Sequence, residues 1–385
     1  MSAELNRRNF LQLSSAAAVG IASGSVLTSC MGTYNPKILN SVWTTKFLKA
    51  NSPKAEIFKD IVRCGVMAPS GYNTQPWKFR ILEDEIILYP DFSRRIPVCD
   101  PADREIYISL GCAIRNMMIG ASYYGLNAEI AYKLKDNPKE DSISVKLTKS
   151  NATADQALIN SMIQRQTSRT EYDKKKIESS IINKLTNPNA INSEIIRLSN
   201  DIVTDVYQDK HYFDLMIDYI KEGNRIQLGN KAHFEELKSW IRFSDSEAEE
   251  KLDGLYSRAI GQPSTARWLG KMYMNIGTTD ITQSKEDIAF IRSAPVLMAF
   301  FSADTREDWL KTGILLEDRL IAITGESLKF AFHSQPCEVQ GLRKDFAREF
   351  GHKDKLPQVV IRIGQGANLP RSPRRKIDDV IIGKI

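Results

Sequence analysis

Apolar residues at Ile57, Phe58, Ile61, Val62 and Val66 recur at the spacing of one helix face, so the pattern predicts an amphipathic helix over 54–67. Two short alternating runs follow, 79–82 and 85–89, hinged on Asp84, and read as strands. Residues 106–126 are apolar almost throughout and predict a long buried helix, with strands at 130–134 and 143–147. In the second half a helix is expected near Asp155. Continuous apolar runs at 295–301 and 359–363 suit strands covered on both faces, and 309–328 suits another long helix. Residues from about 205 to 285 are charged, aromatic and mostly helical by pattern. The fold class is therefore α+β.

The two long helices align with an offset of 202, which sets Gly313 on Gly111, Arg306 on Arg104, Glu307 on Glu105 and Trp309 on Tyr107. Leu310 then meets Ile108, Leu316 meets Ile114 and Leu328 meets Leu126. The apolar matches alone are weak, but the Arg-Glu-x-aromatic-apolar-x-x-Gly run argues for a duplicated unit. The loop at 68–77 has no copy at that offset, and no Arg-x-Thr-x-Arg precedes it. Each half thus carries part of a site, and one composite pocket at the junction is expected.

The chain of 385 residues is 42% hydrophobic and 26% charged with a net charge of +6, a globular composition whose mild basic excess does not call for nucleic acid. Arg7-Arg8-Asn9-Phe10-Leu11 precedes a weakly apolar Ala/Ser/Gly stretch ending in Leu27-Thr28-Ser29-Cys30. That order suits a twin-arginine export signal over 1–29, a lipidated Cys30 and a tether over 30–50. The plainer reading is a disordered tail that contains two arginines. The stretch is too short and too weakly apolar for a membrane span. Four further cysteines and four histidines show no metal-ligand spacing, so no metal is expected.

The chemistry concentrates in two places. Ala68-Pro69-Ser70-Gly71-Tyr72-Asn73-Thr74-Gln75-Pro76-Trp77 is a polar, turn-rich loop between a helix and a strand. Ser70 and Asn73 can hydrogen-bond the polar edge of a flat heteroaromatic ring, Gly71 admits close backbone approach, and Trp77 can wall the pocket. Alternatively it is an ordinary loop with a helix cap at Thr74. Arg165, Thr167 and Arg169 alternate along one short segment and can converge on a phosphate. Arg374 and Arg375 offer further charge, and the alternative is a solvated basic face. No G-x-S-x-G, H-E-x-x-H or P-loop occurs, so no side-chain nucleophile is assigned.

Ala68-Pro69-Ser70-x-x-Asn73-x-Gln75-Pro76-Trp77-x-Phe79 resembles the N-Q-P-W loop of FMN-dependent nitroreductases, and Arg165-x-Thr167-x-Arg169 resembles their phosphate motif. Pro336-Cys337-Glu338 is similar to the family's short loop beside the flavin, and Gly364 with Arg374-Arg375 to its closing segment. The resemblance is to the tandem, single-chain Acg-like branch. It implies a nitroreductase-like fold whose halves, 51–150 and 151–385, form an intramolecular pseudo-dimer around one FMN, with a helical insert at about 205–285. It also implies a monomer using NADH or NADPH and a nitroaromatic or quinone-like acceptor. The implied cofactor-binding residues are Ser70, Asn73, Gln75, Trp77, Arg165, Thr167, Arg169, Pro336, Glu338, Arg374 and Arg375, with Arg169 near the pyrimidine edge. The flavin carries the electron chemistry. Trp240, Tyr256 and Trp268 in the insert fit a lid over the flavin or a peripheral helical addition. The first implies an FMN-sequestering protein with little turnover.

Overall fold

The computed structural model describes residues 32–151, 154–186 and 193–383. The twin-arginine segment and Cys30 lie outside these residues. Described helices of the first half are α1 (Pro36–Leu39), α2 (Lys54–Val66) and α3 (Arg104–Tyr123), and the strands β1 (Trp77–Ile81), β2 (Glu85–Pro90), β3 (Leu126–Lys133) and β4 (Ser142–Lys149). The linker to the second half carries α4 (Gln156–Gln164), capped by the Asp155 carboxylate on the N–H groups of Ala157 and Leu158, then α5 (Ser179–Thr186) and α6 (Ser193–Ser199).

The second half opens with β5 (Val203–Tyr207) and α7 (Lys210–Gly229). Next come α8 (Lys231–Trp240), β6 (Ile241–Arg242), α9 (Asp245–Lys251), β7 (Leu255–Tyr256), α10 (Arg267–Gly277) and α11 (Asp280–Ser293). It closes with β8 (Val296–Ser302), α12 (Arg306–Gly325), β9 (Lys329–Phe332), α13 (Gln335–Glu338), α14 (Gln340–Glu349) and β10 (Leu356–Gly364).

The duplication expected from the 202-residue offset is present in the topology. One antiparallel sheet runs β1-β2-β4-β3 and the other β5-β8-β10-β9. In each, a long helix leads directly into an edge strand, α3 into β3 and α12 into β9. The fold is α+β, two tandem halves forming an intramolecular pseudo-dimer.

The helices α3 and α12 pack together along the seam. A Cβ on Gly111 would overlap the Leu310 carbonyl oxygen and lie 2.8 Å from Gly313 Cα, so only glycine permits this crossing. The matched arginines reach across reciprocally. Arg104 donates to the Gln358 carbonyl of the second half, and Arg306 donates to Asp141 of the first at 2.7 Å. One apolar core runs through the seam, joining Val62 and Ile114 to Met298, Leu310 and Ile361.

Two expectations are revised. The insert was expected at about 205–285, but β5 is a strand of the second sheet. Helix α7 buries Met216, Ile217 and Ile220 in a second core with Phe301, Phe346 and Val360. Helix α11 adds Ile291 to that core. These elements cover the outer face of the second sheet, which is why β8 is buried at all seven positions. The covering insert is therefore α8 to α10. Residues 32–50, expected as a tether, are seated on the body over part of their length: Leu39 and Val42 are buried, and Trp43 Nε1 donates to the Ser372 carbonyl at 3.3 Å.

Candidate functional site

The loop after α2 is forced into an uncommon shape. Tyr72, Asn73 and Gln75 all take positive φ (47°, 55° and 55°), a region non-glycine residues avoid unless their surroundings hold them there. Here the surroundings are side-chain hydrogen bonds. Asn73 Nδ2 donates to the carbonyls of Gly254 (3.0 Å) and Pro373 (3.1 Å), and its Oδ1 accepts from Arg374 Nη1 at 2.8 Å. Gln75 Nε2 donates to the Leu252 carbonyl at 2.9 Å, and its Oε1 accepts from the Arg375 N–H at 2.8 Å. The two amides thus tie together the loop, the insert and the C-terminal segment.

This changes their expected role. Asn73 and Gln75, expected to face a ring, place their polar atoms inside the protein. Trp77, expected as a pocket wall, is fully buried in the first core instead. Ser70 does reach the cavity, with its Oγ accepting from the Gln75 N–H at 3.0 Å.

The C-terminal segment returns to the first half. Arg374 donates to the carbonyls of Val66 (2.9 Å), Met67 (3.2 Å) and Ala68 (3.0 Å). Arg375 donates to the Gln75 carbonyl at 3.3 Å, and Ile381 bridges Phe79 on the free edge of β1. Arg165 donates to the Met67 carbonyl from the other side. The two distant motifs therefore meet at Val66–Ala68.

Arg165 is not a free phosphate donor, however. Its Nε lies 2.8 Å from Glu317 Oε1, both side chains being fully buried, and the angle misses hydrogen-bond geometry. Asn116 beside them reaches Glu317 and opposes the rise of its carboxyl, although neither amide atom makes a hydrogen bond of ordinary geometry. Arg165, Arg371 and Arg374 sit 5.8, 4.6 and 5.0 Å from the ring centroid of Trp43. Arg165 and Arg374 both act on the Glu317 carboxylate, while Arg371 donates to the Arg165 carbonyl at 3.3 Å. Burial, and then the neighbouring Arg165, push Arg371 down to about 10, and the same two causes hold Arg374 well below its ordinary value. Burial pushes Glu317 up to about 7, with Arg165 opposing.

One residue from this cluster, at Pro69, begins the wall of a cavity of about 1140 Å³. The loop supplies Ser70 and Tyr72, the seam helices supply Ile108, Cys112 and Leu316, and the second half supplies Arg169, Phe332 and Glu338. Helices α8, α10 and α11 cover it. Arg169 is half-buried and forms no hydrogen bond or ion pair among the described residues. Burial, and then Arg362 nearby, lower its pKa. Thr167 bridges Phe330 of β9 and fixes this segment to the sheet edge. Pro336 is buried at the start of α13 and aims Glu338 at the cavity, where Glu338 accepts from Gln227 Nε2 at 2.6 Å.

His333 is buried and pushed down to about 3 by burial and by Arg362, whose Nε donates to it at 3.1 Å; it is a neutral structural imidazole. Sequence reasoning missed Trp43, Tyr72, Glu105, Arg371 and His233. Glu105 stood in the repeated Arg-Glu run and Arg371 in the basic terminal cluster. His233 had no signal, being far in sequence from every other group around it.

The insert is strapped to the first half. Asp253 pairs with Arg94 and, at 2.6 Å, with Arg242, while Glu236 accepts from the N–H of Cys99 at 2.8 Å. Trp240 lies under the guanidiniums of Arg94 and Arg242, Tyr256 is buried with its hydroxyl on Asp245, and Trp268 is exposed. Among the described residues no helix is long and apolar enough to cross a membrane.

The family model described as Putative TM nitroreductase matches residues 3–121. The chain is 21% identical over 348 residues to Putative NAD(P)H nitroreductase Rv3131 of Mycobacterium tuberculosis (strain ATCC 25618 / H37Rv), covering 87% of this chain and 93% of that protein. It is 20% identical over 335 residues to Putative NAD(P)H nitroreductase acg of the same organism, covering 84% and 95%. Among solved structures, the FMN-dependent nitroreductase NfnB from Mycobacterium smegmatis in complex with NADPH matches 60% of this chain and 99% of its own at 13% identity and a TM-score of 0.36. The chain is similar to nitroreductases of this kind.

Proposed function

We propose that this chain is an FMN-binding oxidoreductase of the nitroreductase type, drawing on NADH or NADPH and reducing a nitroaromatic or quinone-like acceptor. The observation that carries the reading is Arg169, a cation without a hydrogen bond or ion pair among the described residues, in the wall of a cavity built jointly by the two halves. The residues present suit FMN. Its ring would lie among Ile108, Cys112, Leu316 and Phe332, whereas Arg165 and Arg374 are spent on Glu317 and on backbone carbonyls and do not line the cavity, which leaves Arg169 as the guanidinium on its wall. When bound, FMN supplies the hydride and electron transfer. Arg169 stabilises negative charge on the polar edge of the ring, Ser70 offers a hydroxyl, and the seam helices exclude water. The relatives named as NAD(P)H nitroreductases support this reading.

The strap through Asp253 favours a second reading, an FMN-sequestering protein with little turnover. Anaerobic titration of the purified yellow protein separates the two. Rapid loss of the flavin band at about 450 nm with either nicotinamide, then recovery with a nitroaromatic or quinone, supports the oxidoreductase. Bound FMN that neither nucleotide bleaches supports sequestration, and a colourless protein that takes up no FMN removes both. The reading includes export by the twin-arginine route, a lipid anchor on Cys30 in the cell envelope and a monomeric state. Mass spectrometry of the mature N-terminus and light scattering test these.

A further inference from the structure

Glu338, expected beside the flavin, belongs instead to a side-chain cluster on the cavity wall. Cys99 Sγ, a ring nitrogen of His233 and a carboxylate oxygen of Glu338 all lie within 4.8 Å of one another. They come from three separate places: the loop before α3, the covering helix α8 and the end of α13. Cys99 Sγ is 3.4 Å from Glu338 Oε2, and a second carboxyl, Glu105 of α3, hydrogen-bonds Glu338. Cys99 and His233 are only 3% and 6% exposed. His233 Nε2 lies 3.4 Å from the Tyr72 hydroxyl, while Nδ1 forms no hydrogen bond of ordinary geometry, whereas buried polar atoms are as a rule partnered. Two carboxyls and a thiol thus face a buried imidazole, and the basic residue beside them, Arg104, is 3.6 Å from Glu105.

We propose that Cys99, His233 and Glu338, with Glu105 as fourth donor, form a zinc site that staples the covering helix α8 to both halves of the molecule. Thiolate and imidazole select a borderline-soft ion over calcium or magnesium. Tetrahedral zinc at ordinary bond lengths sets its donors roughly 3.4–3.5 Å apart, which the Cys99–Glu338 pair already meets. The remaining donors close the gap by side-chain rotation. Zinc takes no part in electron transfer, so it can sit beside a redox cavity as a structural ion. The dication offsets the buried carboxyls and the thiolate, and its loss would free α8 from the body. This inference does not depend on FMN.

The test is zinc titration of the full-length protein in competition with a chromophoric chelator, with metal content read by mass spectrometry and flavin content read separately. One zinc per chain is expected. Cys99→Ser and His233→Ala should each weaken binding by more than the roughly 10–100-fold that follows loss of an outer-shell partner. Cys64→Ser, a buried thiol of α2, should leave stoichiometry and affinity unchanged. A readout independent of the variants' basal stability is the zinc-induced rise in melting temperature, which should be present in the wild type and absent from Cys99→Ser and Glu338→Gln. A wild type that binds no stoichiometric zinc, or variants that bind it as tightly, would overturn the site and indicate that shared protons hold the two carboxyls.

Discussion

Gly111 and Gly313 meet at the crossing of the two seam helices, where a Cβ on either would run into the backbone of the other helix. They are also equivalent in the repeat, so the pseudo-twofold axis of the molecule passes between them. Alanine favours a helix by about 1 kcal/mol over glycine. Overpacking costs about 1–3 kcal/mol, and more when the neighbour is backbone that cannot step aside. The contact should win. Gly313→Ala should lower the denaturant midpoint with an unchanged slope, a net loss of about 2 kcal/mol.

Arg165 and Arg169 should separate in their effects. Arg165→Ala removes the nearest cation from Glu317 and the donor to the Met67 carbonyl, and should destabilise the protein by about 1–3 kcal/mol, as for a buried acceptor left unpaired. Arg169→Ala removes a cation with no protein partner, so thermal stability without flavin should hold or rise. FMN affinity should fall by about 10–100-fold, as for loss of a charge-assisted hydrogen bond. Calorimetry and flavin titration of both variants check this, and equal stability loss in both would remove the distinction.

Glu317 gives the fold a pH dependence. Its folded pKa, about 7, lies above the ordinary carboxylate value. Between those values the folded state keeps a proton that the unfolded state releases, so this group's contribution falls as pH rises towards about 7. The slope is at most about 1.4 kcal/mol per pH unit. Glu317→Gln should remove it, so wild-type and variant unfolding curves at pH 5 and pH 7.5 should differ in their pH trend.

Asp253 holds the cover shut. Asp253→Ala leaves Arg94 and Arg242 without their carboxylate, while Asn73 and Gln75 still grip the Leu252 and Gly254 carbonyls. Hydrogen exchange over 241–256 should accelerate, with the sheet strands β8 and β10 unchanged. If the cover limits access, nicotinamide-driven bleaching of bound FMN should accelerate in parallel.

The hydrophobic pattern made the scaffold legible because burial leaves a periodic trace. Helix α2, both seam helices and strands β8 and β10 lie where the apolar runs predicted them, within a few residues. The offset of 202 identified the glycine crossing and the reciprocal arginines. Strand β5 was hidden because it is a half-buried edge strand with charged Asp205 in its middle. Within the site, sequence showed which segments meet but not which atoms face the cavity. Asn73 and Arg165 look like ligand donors by type. Positive backbone angles and a buried Glu317, neither visible from spacing, turn them into internal fasteners. Cys99 and His233 come together only through folding of the insert.

The return of residues 373–382 to the edge of β1 sets a time order on biogenesis. A nascent chain can lay down the first sheet and the α3 helix early, but Asn73 and Gln75 gain Pro373, Arg374 and Arg375 only after nearly four hundred codons have been translated. The cradle is therefore closed only after the first sheet has formed and residues 373–375 have emerged to meet it.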